Sequence, residues 1–178
     1  MQKRSLWYSL GATLGGGALL WAALCALFFL KDWSCAQETP AAAQPELAKI
    51  VLNVGKAHID AEVAHTPQQL AAGLMYRPTL SDNAGMIFVL GKPKHAVFWM
   101  ENTSIPLSIA FLDRGGRILE IYDMRPFDRK TVESQSDRVA YAIEVNQGWF
   151  QLNGVVPGTD VKPVGAYFGK PPLALTAP

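Results

Sequence analysis

Apolar and polar positions are distributed along this chain in two different ways. From Leu6 to Leu30 the run is almost wholly apolar, with Lys3 and Arg4 before it and Lys31-Asp32 after it. Beyond it the apolar positions come in short stretches, interrupted by Gly, Pro, Asn and Asp. The first pattern reads as an export leader: a charged n-region, a long h-region and then Ser34-Cys35-Ala36, with small residues flanking a peptidase site. Cleavage is expected after Ala36. The alternative is an uncleaved anchor, because the run is long enough to span a bilayer as a helix, although Gly11 and Gly15-Gly16-Gly17 weaken it. In either case the basic flank keeps the N-terminus cytoplasmic and the remainder is exported, to the periplasm or beyond. Residues 1–36 are therefore leader or anchor, 37–45 an Ala, Gln and Pro linker, 46–168 a single globular domain and 169–178 a loose, proline-rich tail.

Within the domain, the short stretches predict strands. Ile50–Val54 and His58–Val63 flank Gly55-Lys56 and predict a hairpin. Thr66-Pro67 predicts an N-cap and first helical residue for a helix over Gln68–Met75, stopped by Pro78. Ser81 to Gly85 is turn chemistry. Strands are predicted at Met86–Leu90, His95–Glu101, Leu107–Asp113, Arg117–Asp123 and Arg138–Val145. A short helix over Gln147–Leu152 is capped by Asn146 and stopped by Gly154, and a last strand lies in Val155–Val164. Met124–Asp137 is polar and loosely patterned, as a flexible flap would be. Seven or eight strands with two short helices lack the crossover helices of a parallel doubly wound sheet. The expected class is α+β: a β-rich, mostly antiparallel sheet, curled or barrel-like.

Composition narrows the chemistry. Cys25 and Cys35 both precede the expected cut, so the exported domain has no disulfide, thiolate nucleophile or Cys-ligated metal. Removing Lys3, Arg4, Lys31 and Asp32 leaves 13 basic against 14 acidic residues, which gives no basic face for nucleic acid. His58, His65 and His95 lack metal-ligand spacing. Met75, Met86, Met100 and Met124 are read as core rather than as a Cu(I) site. No metal or other cofactor is expected. Phosphate-loop, nucleophile-elbow and H-E-x-x-H motifs are absent from the sequence.

The stretch Phe98-Trp99-Met100-Glu101-Asn102-Thr103-Ser104-Ile105-Pro106 runs from apolar residues into a carboxylate, an amide and hydroxyls. It reads as a strand leaving the core with polar groups at its mouth. Asn102 and Thr103 suit either ligand contact or satisfaction of the turning backbone. Trp99 is read as core rather than as a stacking platform. Arg77 suits a bidentate grip on an anion or, preferentially, an internal carboxylate such as Glu144. Glu144 sits in an apolar strand, where a carboxylate needs a partner or a function.

Several motifs occur in order: Gly73-Leu74-Met75-Tyr76-Arg77, Gly85-Met86-Ile87-Phe88, the Phe98–Phe111 segment, Ala142-Ile143-Glu144-Val145 and Gly148-Trp149. Together they resemble the domain of unknown function 192 family over roughly residues 50–165. The resemblance implies a small, β-rich, often exported domain and no established activity. It also marks two departures: Ser108 stands where the family usually has aspartate, and Glu101 where it often has lysine.

The leading expectation is a non-enzymatic binding or accessory module of the cell envelope. Its pocket would be framed by Arg77, Trp99, Asn102, Thr103 and Glu144. The partner would be a small polar or anionic ligand or an envelope protein, with membrane contact only through residues 6–30 if uncleaved. One alternative is a hydrolase or glycan-active enzyme using Glu144 or Glu101 as acid or base. Another is a membrane-tethered interaction protein.

Overall fold

The computed structural model describes residues 41–164. The leader, its anchor alternative, the start of the linker and the tail lie outside the described residues. No helix among the described residues is long and apolar enough to cross a membrane.

The hairpin forms as its turn chemistry requires. Strands β1 (Lys49–Val54) and β2 (Ala57–Ala64) pair antiparallel with Val54 opposite Ala57, and Gly55 takes φ 60° in the two-residue turn. Thr66 then caps α1 (Pro67–Ala72). Its Oγ1 accepts from Gln69 N at 3.2 Å while Gln69 Oε1 accepts from Thr66 N at 3.1 Å, a full capping box. The helix ends earlier than Pro78 alone predicts. Gly73, at φ 48°, turns the chain out after Ala72.

Contrary to the expectation that crossover helices are lacking, α1 lies in a crossover, and β3 (Ala84–Lys94) returns parallel to β2, the one parallel pair among the described strands. The remaining strands are β4 (Val97–Phe98), β5 (Leu107–Leu112), β6 (Ile118–Met124), β7 (Val132–Glu133), β8 (Val139–Asn146) and β9 (Val161–Pro163). Helix α2 (Trp149–Leu152) lies between β8 and β9. Seven strands form one sheet in the order β6-β5-β8-β3-β2-β1-β9, and β4 pairs with β7 separately. The two edges of the large sheet meet at one end. Arg117 bridges Asp160, Ile118 N donates to Thr159 O at 2.9 Å and Gly158 N to Ile118 O at 2.7 Å. The result is the expected mostly antiparallel, curled sheet, a half-barrel with two short helices.

Both faces of the central strands are covered, which is why β5 is buried at every position. One face packs Ile59, Ile87, Ala110, Ile143 and Val145 with Trp149 and Phe150 of α2. The other packs Met86, Phe88, Leu107, Ile109 and Phe111 with Leu74, Met100, Ile105 and Met124.

Several local expectations give way to packing. Gly85 is inside β3, not in a turn: a Cβ there would stand 2.6 Å from Glu144 O and 3.0 Å from Ile59 Cγ2. The strand expected over His95–Glu101 is only Val97–Phe98, because the chain turns back at Met100–Thr103, with Thr103 N donating to Met100 O at 3.2 Å. Asn146 does not cap α2. Its Nδ2 donates to Leu80 O and Ser81 O at 3.0 and 3.1 Å, and Gly148, in the left-handed region, begins the helix instead. The expected flap over Met124–Asp137 is tied down along its length. Its β7 pairs with β4, and the Glu120 carboxylate accepts from Gln135 N and Ser136 N at 2.8 and 2.9 Å. Those bonds, together with the Tyr122 hydroxyl, outweigh the effect of burial and hold the Glu120 carboxyl below its ordinary range.

Candidate functional site

The turn after β4 and the loop after β6 build one end of the domain together. Met100 N donates to Asp128 O at 2.9 Å, and Phe127 N to Thr103 O at 3.0 Å. From the other side, Tyr76 N donates to Asn102 O at 2.8 Å. Arg129 Nη2 reaches Glu101 Oε1 at 3.0 Å. Three segments distant in sequence thus converge on Met100–Thr103.

Each of these segments carries a residue held against its conformational preference. Tyr76, Asn102 and Phe127 have φ of 59°, 54° and 59°, and they are the non-glycine residues with positive φ among those described. The left-handed region costs an L-residue roughly 1–2 kcal/mol, least for Asn. Strain of this kind persists where surrounding structure over-determines it and gathers at functional sites. Here all three outliers are linked through neighbouring carbonyls.

Beside this convergence lies a cavity of about 310 Å³ lined by Met100, Asp123, Met124, Arg125, Asp128, Lys130 and Val132. Met100 and Met124 are buried and give it an apolar, deformable lining. Asp128 Oδ1 accepts from Lys130 N at 2.9 Å. Asp123 Oδ1 accepts from Ser108 Oγ at 2.5 Å, and that hydroxyl accepts in turn from Gly148 N at 2.9 Å. A carboxylate therefore stands beside Ser108 after all, supplied by the paired strand. Among the described residues neither Arg125 nor Lys130 has an ion-pair partner.

The residues singled out from the sequence are only partly brought together. Trp99, Asn102 and Thr103 share the turn, but Trp99 is exposed, not core. Thr103 is buried and satisfies its own backbone, Oγ1 donating to Glu101 O at 3.2 Å. Asn102 is half-buried, and its side-chain amide is unpaired among the described residues.

The expected Arg77–Glu144 pair does not form. Arg77 Nη1 and Nη2 donate to Glu62 Oε1 and Oε2 at 2.9 and 2.8 Å, a bidentate pair, while Leu47 N adds 2.8 Å to Glu62 Oε2. Glu62 was not singled out from the sequence, although it alternates with Ile59, Ala61 and Val63 along β2. A second layer of chain covers that face at the Glu62 end, so this carboxylate is buried.

Glu144 lies elsewhere on the same sheet face. In register it stands between Met86 of β3 and Ile109 of β5, with no hydrogen-bond partner among the described residues. Burial alone pushes its carboxyl up to about 8, so it is neutral at pH 7. It does not line the cavity. Arg125 and Lys130, which do, were missed. The unpaired charge of Arg125 and Lys130 is a property of tertiary structure that a polar, loosely patterned stretch does not signal. Among the described residues no group of three or more His, Cys, Asp or Glu side chains is placed to hold a metal ion.

The model of the DUF192 family, described as an uncharacterized ACR, matches residues 50–163. The chain belongs to this family. A solved protein of Sinorhizobium meliloti 1021, provisionally described as a transcription regulator, is 30% identical, with a TM-score of 0.65 over 69% of this chain and 99% of its own. A protein of unknown function from Novosphingobium aromaticivorans DSM 12444 is 32% identical, with a TM-score of 0.63 over 71% of this chain and 96% of its own. No curated protein matches.

Proposed function

We propose that this DUF192 protein is an exported, non-enzymatic binding module that takes a small anionic ligand in the cavity beside Met100–Thr103. The observation that carries the reading is the pair of cations without ion-pair partners, Arg125 and Lys130, in a cavity lined otherwise by Met100, Met124, Val132 and two carboxylates, Asp123 and Asp128, that already accept hydrogen bonds from Ser108 and the Lys130 amide. Guanidinium and ammonium groups supply charge-assisted hydrogen bonds to an anion, and Met100, Met124 and Val132 receive its apolar part. The volume is at the lower end of that of small-molecule sites, and the adjoining turn carries the half-buried, unpaired Asn102 amide. Export rests on the leader reading of residues 1–36.

Acid–base catalysis by Glu144 or Glu101 has less support, since Glu144 stands away from the cavity and Glu101 is engaged by Arg129. A regulator acting on DNA also has little: the two helices among the described residues are six and four residues long, too short to read a groove, and the charge of residues 37–178 is near balance.

The test is a thermal-shift and calorimetric screen of residues 37–178 against phosphate, sulfonates, sugar acids and dicarboxylates. A binding anion is expected to stabilise wild type and to lose its effect in an Arg125→Ala/Lys130→Ala variant of unchanged fold. Stabilisation that survives in that variant, or none with any anion, would overturn the reading.

A further inference from the structure

The cavity accounts for Arg125 and Lys130 but not for the apolar side chains around it. Phe127 is 64% exposed, Val97 52%, Trp99 43% and Tyr76 40%, and none of the four lines the cavity. Exposed apolar residues scattered singly need no explanation. These belong to segments that the hydrogen bonds of Met100, Asn102 and Thr103 draw to one end of the domain. Tyr76 and Phe127 are also held there at positive φ, where glycine would be unstrained. In the sequence Arg125-Pro126-Phe127-Asp128-Arg129-Lys130 the aromatic ring sits at an exposed Pro-Phe tip between basic residues. Of the acids nearby, Glu101 is paired with Arg129 and Glu133 stands beside His95 at 3.7 Å, while Asp128 and Asp123 accept hydrogen bonds from the Lys130 amide and the Ser108 hydroxyl. Lys92 and Lys94 at the exposed end of β3 add further cations.

We propose that this end of the domain docks on an anionic lipid bilayer. Phe127 and Trp99 enter the headgroup layer, and Arg125 and Lys130 meet lipid phosphates. Aromatic rings favour the membrane–water interface, and basic side chains beside them are drawn to anionic leaflets. Such charge complementarity distinguishes a bilayer from an uncharged apolar partner. The contact is separate from any made by residues 6–30; it shares Arg125 and Lys130 with the small-anion reading, and Phe127, which does not line the cavity, separates the two in the test.

The experiment uses residues 37–178, which contain the whole of the described sheet and both of its core clusters. Co-sedimentation is measured with phosphatidylcholine vesicles, with and without phosphatidylglycerol at about 30 mol %. Trp99 is the exposed reporter, since the other tryptophan of this unit, Trp149, is buried. Binding to the anionic vesicles is expected, with a blue shift of Trp99 emission and quenching by brominated lipid. Phe127→Ala should weaken partitioning on the order of tenfold while leaving the melting temperature intact or raised. Arg125→Gln/Lys130→Gln should remove the preference for the anionic vesicles and its salt dependence. Absence of sedimentation at low ionic strength, or binding that Phe127→Ala does not weaken, overturns the proposal. So does full competition by soluble glycerophosphate, which would place the lipid phosphate in the cavity without a bilayer contact.

Discussion

Glu144→Gln is the most informative perturbation, because it removes the ionisable group and keeps the shape of the side chain. Burial raises the Glu144 carboxyl from 4.5 to about 8. The folded state therefore holds a proton that the unfolded state has already released across that interval. By linkage, the contribution of the carboxyl to stability is complete below the unfolded value. It is lost as pH rises toward the folded value and changes no further above it. Each pH unit costs about 1.4 kcal/mol, so the full loss approaches about 5 kcal/mol, and about 3 kcal/mol of it has occurred by pH 7. Glutamine carries no such term. Its amide lacks partners as well, but that cost is constant with pH. The assay is urea unfolding of both proteins from about pH 5 to about pH 9, read as the difference between their free energies. Glu120 and Glu46, whose carboxyls are lowered, and Tyr122, whose hydroxyl is raised, titrate in both proteins and cancel. The variant should gain on wild type as pH rises to about 8 and then run parallel to it. Parallel curves throughout would mean that Glu144 is hydrated or paired in solution, and the burial argument would fail.

Three further outcomes follow from the packing. Arg77→Met leaves the Glu62 carboxylate buried and unpaired and should cost about 3–5 kcal/mol, whereas Arg77→Met/Glu62→Met should recover most of that; a double-mutant cycle in urea measures both, and a double variant no better than the single would refute the pairing. Gly85→Ala forces a Cβ against the β8 backbone and should cost at least about 1–3 kcal/mol by thermal unfolding; an unchanged melting temperature would show that the β3–β8 approach is looser than described. Asn102→Gly should stabilise the fold by up to about 1 kcal/mol by relieving the positive φ, yet should weaken anion binding by calorimetry if the amide is a ligand contact. Binding as strong as wild type would remove Asn102 from the site.

The architecture was legible where local rules act alone. Gly55-Lys56 sets a two-residue turn and with it the register of β1 against β2. Thr66, Pro67 and Gln69 set the start of α1, and Arg114-Gly115-Gly116 turns β5 into β6. Ordered motifs from Gly73 to Trp149 mark the family. The site was half legible. A mixture of aromatic and amide residues identified Met100–Thr103 as unusual, because neither a core strand nor a surface loop would choose it.

What the sequence determined by itself is therefore most of the strands and the tight turns, since periodicity and turn chemistry depend on neighbours a few residues away; that α1 crosses between the parallel strands β2 and β3 was decided by the tertiary structure. The tertiary structure alone decided which polar groups are paired. Glu62, not Glu144, became the partner of Arg77 because a second layer covers that end of β2. Glu144 was left without a partner between Met86 and Ile109. Met124–Asp137 became a tied wall with two unpaired cations because Glu120, Ala96, Met100 and Thr103 supply its hydrogen bonds. Pairing across such separations depends on which faces of a curled sheet come to be covered, and no local pattern encodes that.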